Sequence, residues 1–213
     1  MIGAAKSVDA LSPPLPGRKL VVWYGVCVAI ALFVFAYAFL QIKYSQPPLQ
    51  KFHTLPAFQF TDQDGQPFGL ADLKGKVWLA AFVYTTCPGP CPMVTHRMSQ
   101  LQESAFRNDD VRFVTFTVDP KNDTPPVLKA YAAKNVAVAG KWFFLTGDPD
   151  SVFSLIRNSF TLAMADKSPN APIVHSTKLA LVDRDGVVRG YYDGIGEDQS
   201  PQILNDIQRL RHE

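Results

Sequence analysis

The feature that most constrains the fold is an uncharged apolar segment near the N-terminus. Residues 20–40 carry no charge and are rich in Val, Ala, Phe and Leu. A helix that rises about 1.5 Å per residue needs about 20 apolar residues to cross ~30 Å of hydrocarbon. Helices in globular proteins are usually apolar on one face only. The segment therefore predicts one transmembrane helix, over residues 20–42, and divides the chain in two.

A cleavable signal peptide is the alternative interpretation of this segment. The triplet Ala36-Tyr37-Ala38 resembles a small-x-small cleavage site. The apolar core of a signal peptide spans only roughly 7–15 residues, however, and bulky aromatic residues and Leu surround this triplet. Trp23, Tyr24 and Tyr37 near the ends of the segment are typical of membrane interfaces. These observations favour an anchor that is retained.

The charges that flank the span predict its orientation. Lys6, Arg18 and Lys19 precede it, whereas Lys43 is the only close basic residue after it. Because cytoplasmic flanks carry an excess of Lys and Arg, we expect residues 1–19 to form a short cytoplasmic head. This head is a poor match to an Arg- and Ser-rich organellar transit peptide. The expected location is a bacterial inner membrane, with the C-terminal domain in the periplasm.

The rest of the chain has the size and composition of one globular domain. Of the 213 residues, 47% are apolar, and the formal net charge is +2. This charge is too small, and too evenly spread, to suggest a nucleic-acid partner. We expect a Pro-containing linker over residues 43–52 and an exported domain over residues 53–213.

Strands and helices are predicted to alternate along this domain. Expected strands cover residues 77–85, 111–118 and 142–146, and expected hairpins turn at Asp64-Gly65 and at Asp185-Gly186. Four helices are expected. The first follows the strand over residues 77–85 and ends near Arg107, and the others begin near Asp123 or Thr124, near Asp148 or Asp150, and at Ser200. Such a pattern implies an α/β fold with a mixed sheet and helices on both faces. Because two cysteines follow the first core strand, the layout is thioredoxin-like.

Those two cysteines, four residues apart, are the most informative chemical feature of the domain. Cys87 and Cys91 lie in the run Thr-Cys-Pro-Gly-Pro-Cys-Pro, between a predicted strand and a predicted helix. In a helix that starts at Cys87 the two side chains would share a face. Paired thiols near a helix N-terminus favour a soft metal such as Cu(I), or thiol–disulfide exchange. The usual redox spacing is C-x-x-C, so this spacing favours metal. Exchange and a structural disulfide remain alternatives.

A nitrogen ligand would allow such a site to hold Cu(II) as well. His53, in the linker region, and His212, at the C-terminus, are expected to be solvated. His96 lies about 140° around the predicted helix from Cys91, which does not favour a shared ion. His175 follows a Pro-rich loop and precedes a strand, so it can approach a ligand, although a solvated loop histidine is the alternative. The remaining sulfur atoms, for which packing is the more common role, belong to Met93, Met98, Met164 and Cys27.

Several segments together resemble one known set of motifs. Residues 82–92 look like an aromatic-T-x-C-P-x-x-C-P motif, and residues 118–125 resemble a V-D-P-x-x-D-T-P element. His175-Ser176, with the strand and the Asp185-Gly186 turn that follow, is similar to a histidine region. With the single N-terminal span, these motifs resemble the SCO/SenC family of membrane-anchored copper chaperones for respiratory oxidase assembly. The resemblance covers residues 50–211.

The resemblance implies a copper centre and a set of partners. By carry-over, Cys87, Cys91 and His175 are the ligands of one copper ion, Cu(I) or Cu(II). The implied function is delivery of this ion to the copper-binding subunit of cytochrome c oxidase, at its dinuclear centre. A copper donor and a thiol reductant are the further partners. The alternative is a thiol–disulfide oxidoreductase that reduces the oxidase cysteines and leaves His175 idle; a copper or redox sensor would need the same reversible binding.

Two positions depart from the family pattern. Asn122 stands where the family often has a basic residue, and Val174 where an acidic residue commonly precedes the histidine. Residues next to metal ligands orient them and tune their affinity, so the departures bear on affinity more than on ligand identity. Asp119 and Asp123 are expected either to order the loop near the site or to form turns and cap a helix.

Overall fold

The computed structural model describes residues 17–44, 47–162 and 176–213. Of the residues singled out above, Lys6, Met164, Val174 and His175 lie outside this part of the chain. The described residues belong to two units, which meet between Pro48 and Leu49.

The N-terminal unit contains the predicted apolar helix. This helix, α1, spans Arg18–Tyr44. Within it, Val21–Phe39 form a stretch of 19 residues that is long and apolar enough to cross a membrane. Every side chain of that stretch is exposed. By length and composition the helix can serve as a membrane anchor, although a signal sequence meets the same criteria.

The second unit is built on a five-stranded mixed sheet. Its elements in chain order are β1 (Gln59–Thr61), β2 (Pro67–Gly69), β3 (Val77–Val83), α2 (Cys91–Ala105), β4 (Val111–Thr117), α3 (Pro125–Lys134), β5 (Trp142–Leu145), α4 (Pro149–Ser154), β6 (Lys178–Val182), β7 (Val188–Asp193) and α5 (Ser200–Arg211). The order across the sheet is β5-β4-β3-β6-β7. Strands β3, β4 and β5 are parallel, whereas β6 is antiparallel to β3 and to β7. The predicted thioredoxin-like mixed sheet is confirmed.

Both faces of the sheet are covered, as the sequence predicts. All residues of β3 are buried, which is expected for a central strand between two layers. On one face, alternate residues of β3 pack against α2, α3 and α5. On the other face, the intervening residues pack against the β1–β2 hairpin and α4. The loop that follows β3 therefore emerges from the fully buried centre of the sheet.

The β1–β2 hairpin protects the edge of the sheet at β5. The backbones of Thr61 and Thr146 exchange hydrogen bonds of 2.8 and 2.9 Å. The side-chain amide oxygen of Gln63 accepts a hydrogen bond of 2.8 Å from the backbone N–H of Phe144. These bonds occupy edge groups that would otherwise be free to pair with another chain.

The helix expected to begin near Asp148 or Asp150 changes from α-helical to π-helical geometry along its length. Asp148 caps α4 by accepting a hydrogen bond from the Ser151 N–H, and a π-helical turn follows over Leu155–Ser159. In this turn the Phe160 N–H donates to the Leu155 carbonyl at 3.1 Å. The wider turn directs the fully buried Phe160 ring onto the sheet, 4.9 Å from the ring of Phe82. Packing on the sheet thus decides how the helix ends.

A buried arginine holds the start and the end of the domain together. The Arg189 guanidinium donates to the carbonyls of Leu49 at 2.9 Å and Gln50 at 3.2 Å. It also pairs with Asp183 at 2.9 Å and with Glu213 at 2.8 Å. Residues just before the predicted domain start at 53 are therefore bound to strand β7.

Asp110, just before β4, forms ion pairs with two arginines. These pairs are expected to make the free energy of unfolding sensitive to acid. Its carboxylate accepts hydrogen bonds from Arg184 at 2.7 Å and Arg211 at 2.6 Å. Burial raises the pKa of Asp110, but the hydrogen bonds from the two arginines outweigh it and hold the pKa below its usual value. An unfolded aspartate titrates near pH 3.9, so the pairs stabilise the fold above about pH 4. Their contribution is lost as the pH falls through the lower, folded-state pKa.

We therefore expect Asp110→Asn to lower the free energy of unfolding by about 1 kcal/mol at pH 7. In urea titrations at pH 7 and pH 3, the difference between variant and wild type should shrink at the lower pH. Asp109→Asn is the matched control, because the Asp109 side chain is 99% exposed and pairs only with Lys141 in the described part of the chain. A loss that is equal at both pH values would contradict the assignment.

Candidate metal centre

The cysteine pair lies at the junction between β3 and α2. Helix α2 begins at Cys91, and its N-cap is Pro90, with φ −75° and ψ −24°. Pro92 lies in the first turn, where a missing N–H costs nothing because that donor has no partner within the helix. Cys87 therefore lies in the loop before the helix, and the interpretation that it starts the same helix is wrong. The pair bridges loop and helix, so its spacing is not fixed by helix geometry.

The two thiols differ in accessibility. Cys87 is 8% exposed, whereas Cys91 is fully buried on the inner face of α2. Neither sulfur takes part in a disulfide bond in the described part of the chain. The Cys87 sulfur accepts hydrogen bonds from the backbone N–H groups of Gly89 and Cys91, from the Cys91 thiol and from the Tyr84 hydroxyl. These donors form a cradle that stabilises negative charge on Cys87.

The pKa values of the two thiols are shifted in opposite directions. Burial raises the pKa of the Cys87 thiol, but its four hydrogen-bond donors outweigh this and leave the pKa below the usual value. For Cys91, burial above all, and then the hydrogen bond it gives to Cys87, raise the pKa to about 12. Burial, with the hydrogen bond to Cys87, also raises the pKa of Tyr84 to about 12. The environment of Cys87 therefore favours its thiolate form, whereas the environment of Cys91 favours the protonated thiol.

Beneath this pair, a buried carboxylate fixes the start of the cysteine loop. Asp123 is 1% exposed. It accepts a hydrogen bond of 3.1 Å from the Thr85 N–H, and one from each of the hydroxyls of Thr85 and Thr117. Thr85 follows β3 and Thr117 ends β4, so one carboxylate joins two neighbouring strand ends to the loop.

The two proposed roles of the aspartates are now distinguishable. The N-cap of α3 is Thr124, which makes no side-chain capping bond, so Asp123 does not cap this helix. Asp119 forms a turn by accepting backbone hydrogen bonds from Asn122 and Asp123 at 3.0 and 2.9 Å. Asn122 adds a side-chain bond of 2.6 Å to the Asp119 carboxylate. Asn122 therefore supports the turn, at the position where the family often has a basic residue.

The first turn of α2 is fixed from its buried side. The Thr95 hydroxyl bonds the Cys91 carbonyl at 3.0 Å and the Tyr131 hydroxyl, on α3, at 2.9 Å. Both side chains are buried or nearly so. The position of Cys91 is thus set by contacts from a second helix.

The other candidate ligands lie away from the pair. His53, His96 and His212 are exposed, and so is Met93, whereas Met98 is buried in the core as predicted. Cys27 is exposed on α1. Within residues 17–44, 47–162 and 176–213, no group of three or more His, Cys, Asp or Glu side chains could hold a metal ion. His175 lies outside those residues.

A search of the sequence for metal-ligating residue types does not identify three residues that shape the site. Tyr84 donates to the Cys87 sulfur, and Thr85 and Thr117 hold the Asp123 carboxylate. Tyr84 and Thr85 are the aromatic residue and the threonine of the motif that precedes the cysteines, but the motif does not indicate which atoms they contact. Thr117 lies six residues before Asp123, and nothing in that spacing indicates a hydrogen bond between the two side chains.

Fold and site together define a class of protein. A dithiol follows the central strand of a thioredoxin-like sheet, and one of its thiols has a lowered pKa. Two adjacent soft donors of this kind fit Cu(I), and they also fit disulfide exchange. The family model described as SCO1/SenC matches residues 46–212. The chain belongs to this family.

Individual relatives agree in extent. The SCO1 protein homolog of Bacillus subtilis (strain 168) is 35% identical over 181 residues, which cover 84% of this chain and 91% of that protein. BsSco, described as a member of the Sco family of cytochrome c oxidase assembly proteins with a disulfide switch, is 32% identical, with a TM-score of 0.69. That match covers 78% of this chain and 98% of BsSco.

A structure of Bradyrhizobium japonicum ScoI with copper bound is also similar. It is 27% identical, with a TM-score of 0.61, and the match covers 74% of this chain and 99% of ScoI. All three matches extend over most of each relative. The predicted membership of the SCO/SenC family is confirmed.

The inequality of the thiols predicts unequal reactivity. In a Cys27→Ala background, we expect the chain with Cys91→Ser to be alkylated by iodoacetamide at pH 7 at least about tenfold faster than the chain with Cys87→Ser, because thiolate is the reactive form. Mass spectrometry of timed samples measures both rates. In urea the two variants should react alike, which controls for the substitutions themselves. Equal rates in the folded chains would show that the cradle does not lower the pKa of Cys87.

The buried carboxylate predicts a cost for its removal. Asp123→Asn replaces one acceptor oxygen with a donor that faces two hydroxyls, and we expect it to lower the free energy of unfolding by about 1–3 kcal/mol. Thr124→Ala is the control, because this adjacent side chain makes no capping bond and should change stability little. Urea unfolding followed by circular dichroism measures both. Equal stability of the two variants would remove Asp123 from its structural role.

Proposed function

We propose that this chain is a membrane-anchored copper metallochaperone for cytochrome c oxidase assembly. It binds one copper ion through Cys87, Cys91 and His175. The observation that carries the proposal is the buried dithiol at the junction between β3 and α2, in which hydrogen-bond donors surround the Cys87 sulfur and lower its pKa. The copper bound to ScoI of Bradyrhizobium japonicum, and the assignment of BsSco to the oxidase assembly proteins, support it.

The donor set suits an ion that must be passed on. Thiolates are soft ligands that prefer Cu(I), and an imidazole ligand would extend the site to Cu(II). Copper binding displaces the proton of Cys91, so the metal competes with the proton that burial retains there. Three protein ligands leave copper open to a ligand from a partner, which is what exchange between two proteins requires.

The described residues next to His175 support its role as the third ligand. The Thr177 carbonyl accepts a hydrogen bond of 3.1 Å from the Gly194 N–H. Gly194 lies against α2 so closely that a Cβ atom there would be 3.1 Å from Cγ2 of Val94. Val94 is three residues after Cys91, so the chain that follows His175 runs beside the first turn of α2.

The proposed topology follows from the anchor. Residues 1–19 form the cytoplasmic head, residues 20–42 cross the bacterial inner membrane, residues 43–52 form the linker, and residues 53–213 form the copper-binding domain in the periplasm. The proposed partners are the copper-binding subunit of cytochrome c oxidase, with its dinuclear centre, a copper donor and a thiol reductant. All of them would meet the domain on the membrane surface.

The unequal thiols favour a second candidate function, reduction of a disulfide between the oxidase cysteines. The Cys87 thiolate attacks one sulfur of that disulfide, forms a mixed disulfide and releases the other sulfur as a thiolate. Cys91 then loses its proton and attacks the Cys87 sulfur, which releases the second thiolate. The oxidase gains two electrons, the pair becomes a disulfide, and an external thiol reductant restores it.

Copper binding by the full chain in detergent tests the proposal. We expect the reduced protein to bind about one Cu(II) per chain and to show a thiolate-to-copper charge-transfer band, because the thiolates donate directly to the metal. Cys87→Ser or Cys91→Ser should abolish the band, and His175→Ala should greatly weaken binding. His53→Gln, which removes an exposed histidine, is the matched control and should bind normally.

Two results would change the assignment. Tight, stoichiometric Cu(II) binding by the His175→Ala chain would rule out the three-ligand site. If the His175→Ala chain loses copper binding but still reduces a disulfide substrate at the normal rate, the thiol–disulfide oxidoreductase is favoured, because that activity does not need His175.

A further inference from the structure

The outer face of α2 carries two soft donor side chains that the dithiol site does not use. Met93 is 54% exposed, although a methionine of this size is usually buried, and His96 is also exposed. Successive residues of a helix are rotated by about 100°, so Met93 and His96 lie about 60° apart, and both point away from the buried Cys91. Residues three apart on a helix have Cβ atoms about 5–6 Å from one another, close enough to share one ion.

These two side chains line a common groove. Its volume is about 310 Å³, and its opposite wall is formed by Gly194 and Ile195, in the segment between β7 and α5. Within the described part of the chain, the His96 imidazole makes no hydrogen bond or ion pair, so its nitrogen atoms are available to a ligand. Gly194 packs against Val94, on the buried side of α2, so that its backbone forms part of the groove wall.

The charge in the groove suits a soft monovalent cation. Arg97 also lines it, but its guanidinium pairs with Asp198 at 3.2 Å and contacts the carbonyls of Gly196 and Glu197 at 3.4 Å each. The donors that remain are a thioether sulfur and an imidazole nitrogen, with no carboxylate among the described residues that line the groove. Thioether sulfur selects Cu(I), and imidazole binds copper well, whereas divalent hard cations prefer oxygen.

We propose that Met93 and His96 form a second, weaker binding site for Cu(I). His96 is about 7.5 Å along the helix axis from Cys91, so an ion in the groove waits close to the dithiol. A neutral pair of donors binds Cu(I) less tightly than thiolates, which makes transfer to the dithiol favourable. A role of this second site in passing Cu(I) to the dithiol rests on the proposed function. Binding of Cu(I) by Met93 and His96 does not depend on that function.

Anaerobic titration of the full chain with Cu(I), in detergent and in competition with bicinchoninate, tests the site. A Cys27→Ala background removes the thiol on α1. In that background we expect Cys87→Ser/Cys91→Ser to bind one Cu(I) ion, with nitrogen and thioether sulfur ligands in the X-ray absorption spectrum. Adding Met93→Leu and His96→Gln should abolish this binding. His53→Gln, added instead, is the matched control and should leave it intact.

The outcomes separate this site from the dithiol site. With the thiols intact, Met93→Leu/His96→Gln should retain the copper bound to thiolate and lose only the weaker ion. Absence of Cu(I) binding in the double-serine chain, or binding that persists after Met93 and His96 are replaced, would overturn the second site. Failure of the proposed function would give a different result: replacing Cys87 and Cys91 would leave the number of copper ions bound per chain unchanged, both with Met93 and His96 present and with both replaced.

Discussion

The arrangement of the site depends on one buried carboxylate that has no cationic partner in the described part of the chain. Asp123 replaces the water it lost on folding with hydrogen bonds from the ends of two parallel strands and from the loop between β3 and α2. A buried charge of this kind is stable only while its donors stay in place. The strand ends therefore hold the carboxylate, and the carboxylate in turn holds the loop. Cys87 is two residues beyond Thr85, so its position follows from this network.

The second organising principle is the difference between two chemically identical side chains. Cys87 faces backbone N–H groups at the start of a helix, whereas Cys91 faces the core of the domain. The first environment stabilises a thiolate and the second a thiol. Copper binding and disulfide exchange both begin from such a pair, because each needs one nucleophilic sulfur and one that reacts when a partner arrives. The two proposed activities therefore make the same demand on this loop.

Local patterns in the sequence predict the elements of the fold well, because alternating apolar residues indicate a strand with one buried face and a continuous apolar run indicates a strand buried on both faces. The run 77–83 and the Asp64-Gly65 turn are examples, and the predicted α/β order is confirmed. The start of α2 at Cys91, the partners of Asp123 and the π-helical turn before Phe160 are not predictable in this way. Each depends on groups distant in the chain, such as Tyr131 for the first turn of α2, Thr85 for the carboxylate and Phe82 for the ring. Of the candidate ligands, spacing alone identifies the cysteine pair, whereas the choice of His175 depends on the family resemblance.

The guanidinium of Arg189 has a practical consequence for anyone who produces this domain without its anchor. It is buried, and its partners are the carbonyls of Leu49 and Gln50 and the carboxylates of Asp183 and Glu213. A soluble fragment that starts at residue 53 would leave the donors to Leu49 and Gln50 without acceptors, and one that lacks Glu213 would lose one of the two carboxylates that balance the buried cation. Such a fragment would be less stable than the intact domain, and copper affinities measured on it would not represent the native site. The boundary that preserves the native domain lies before Leu49.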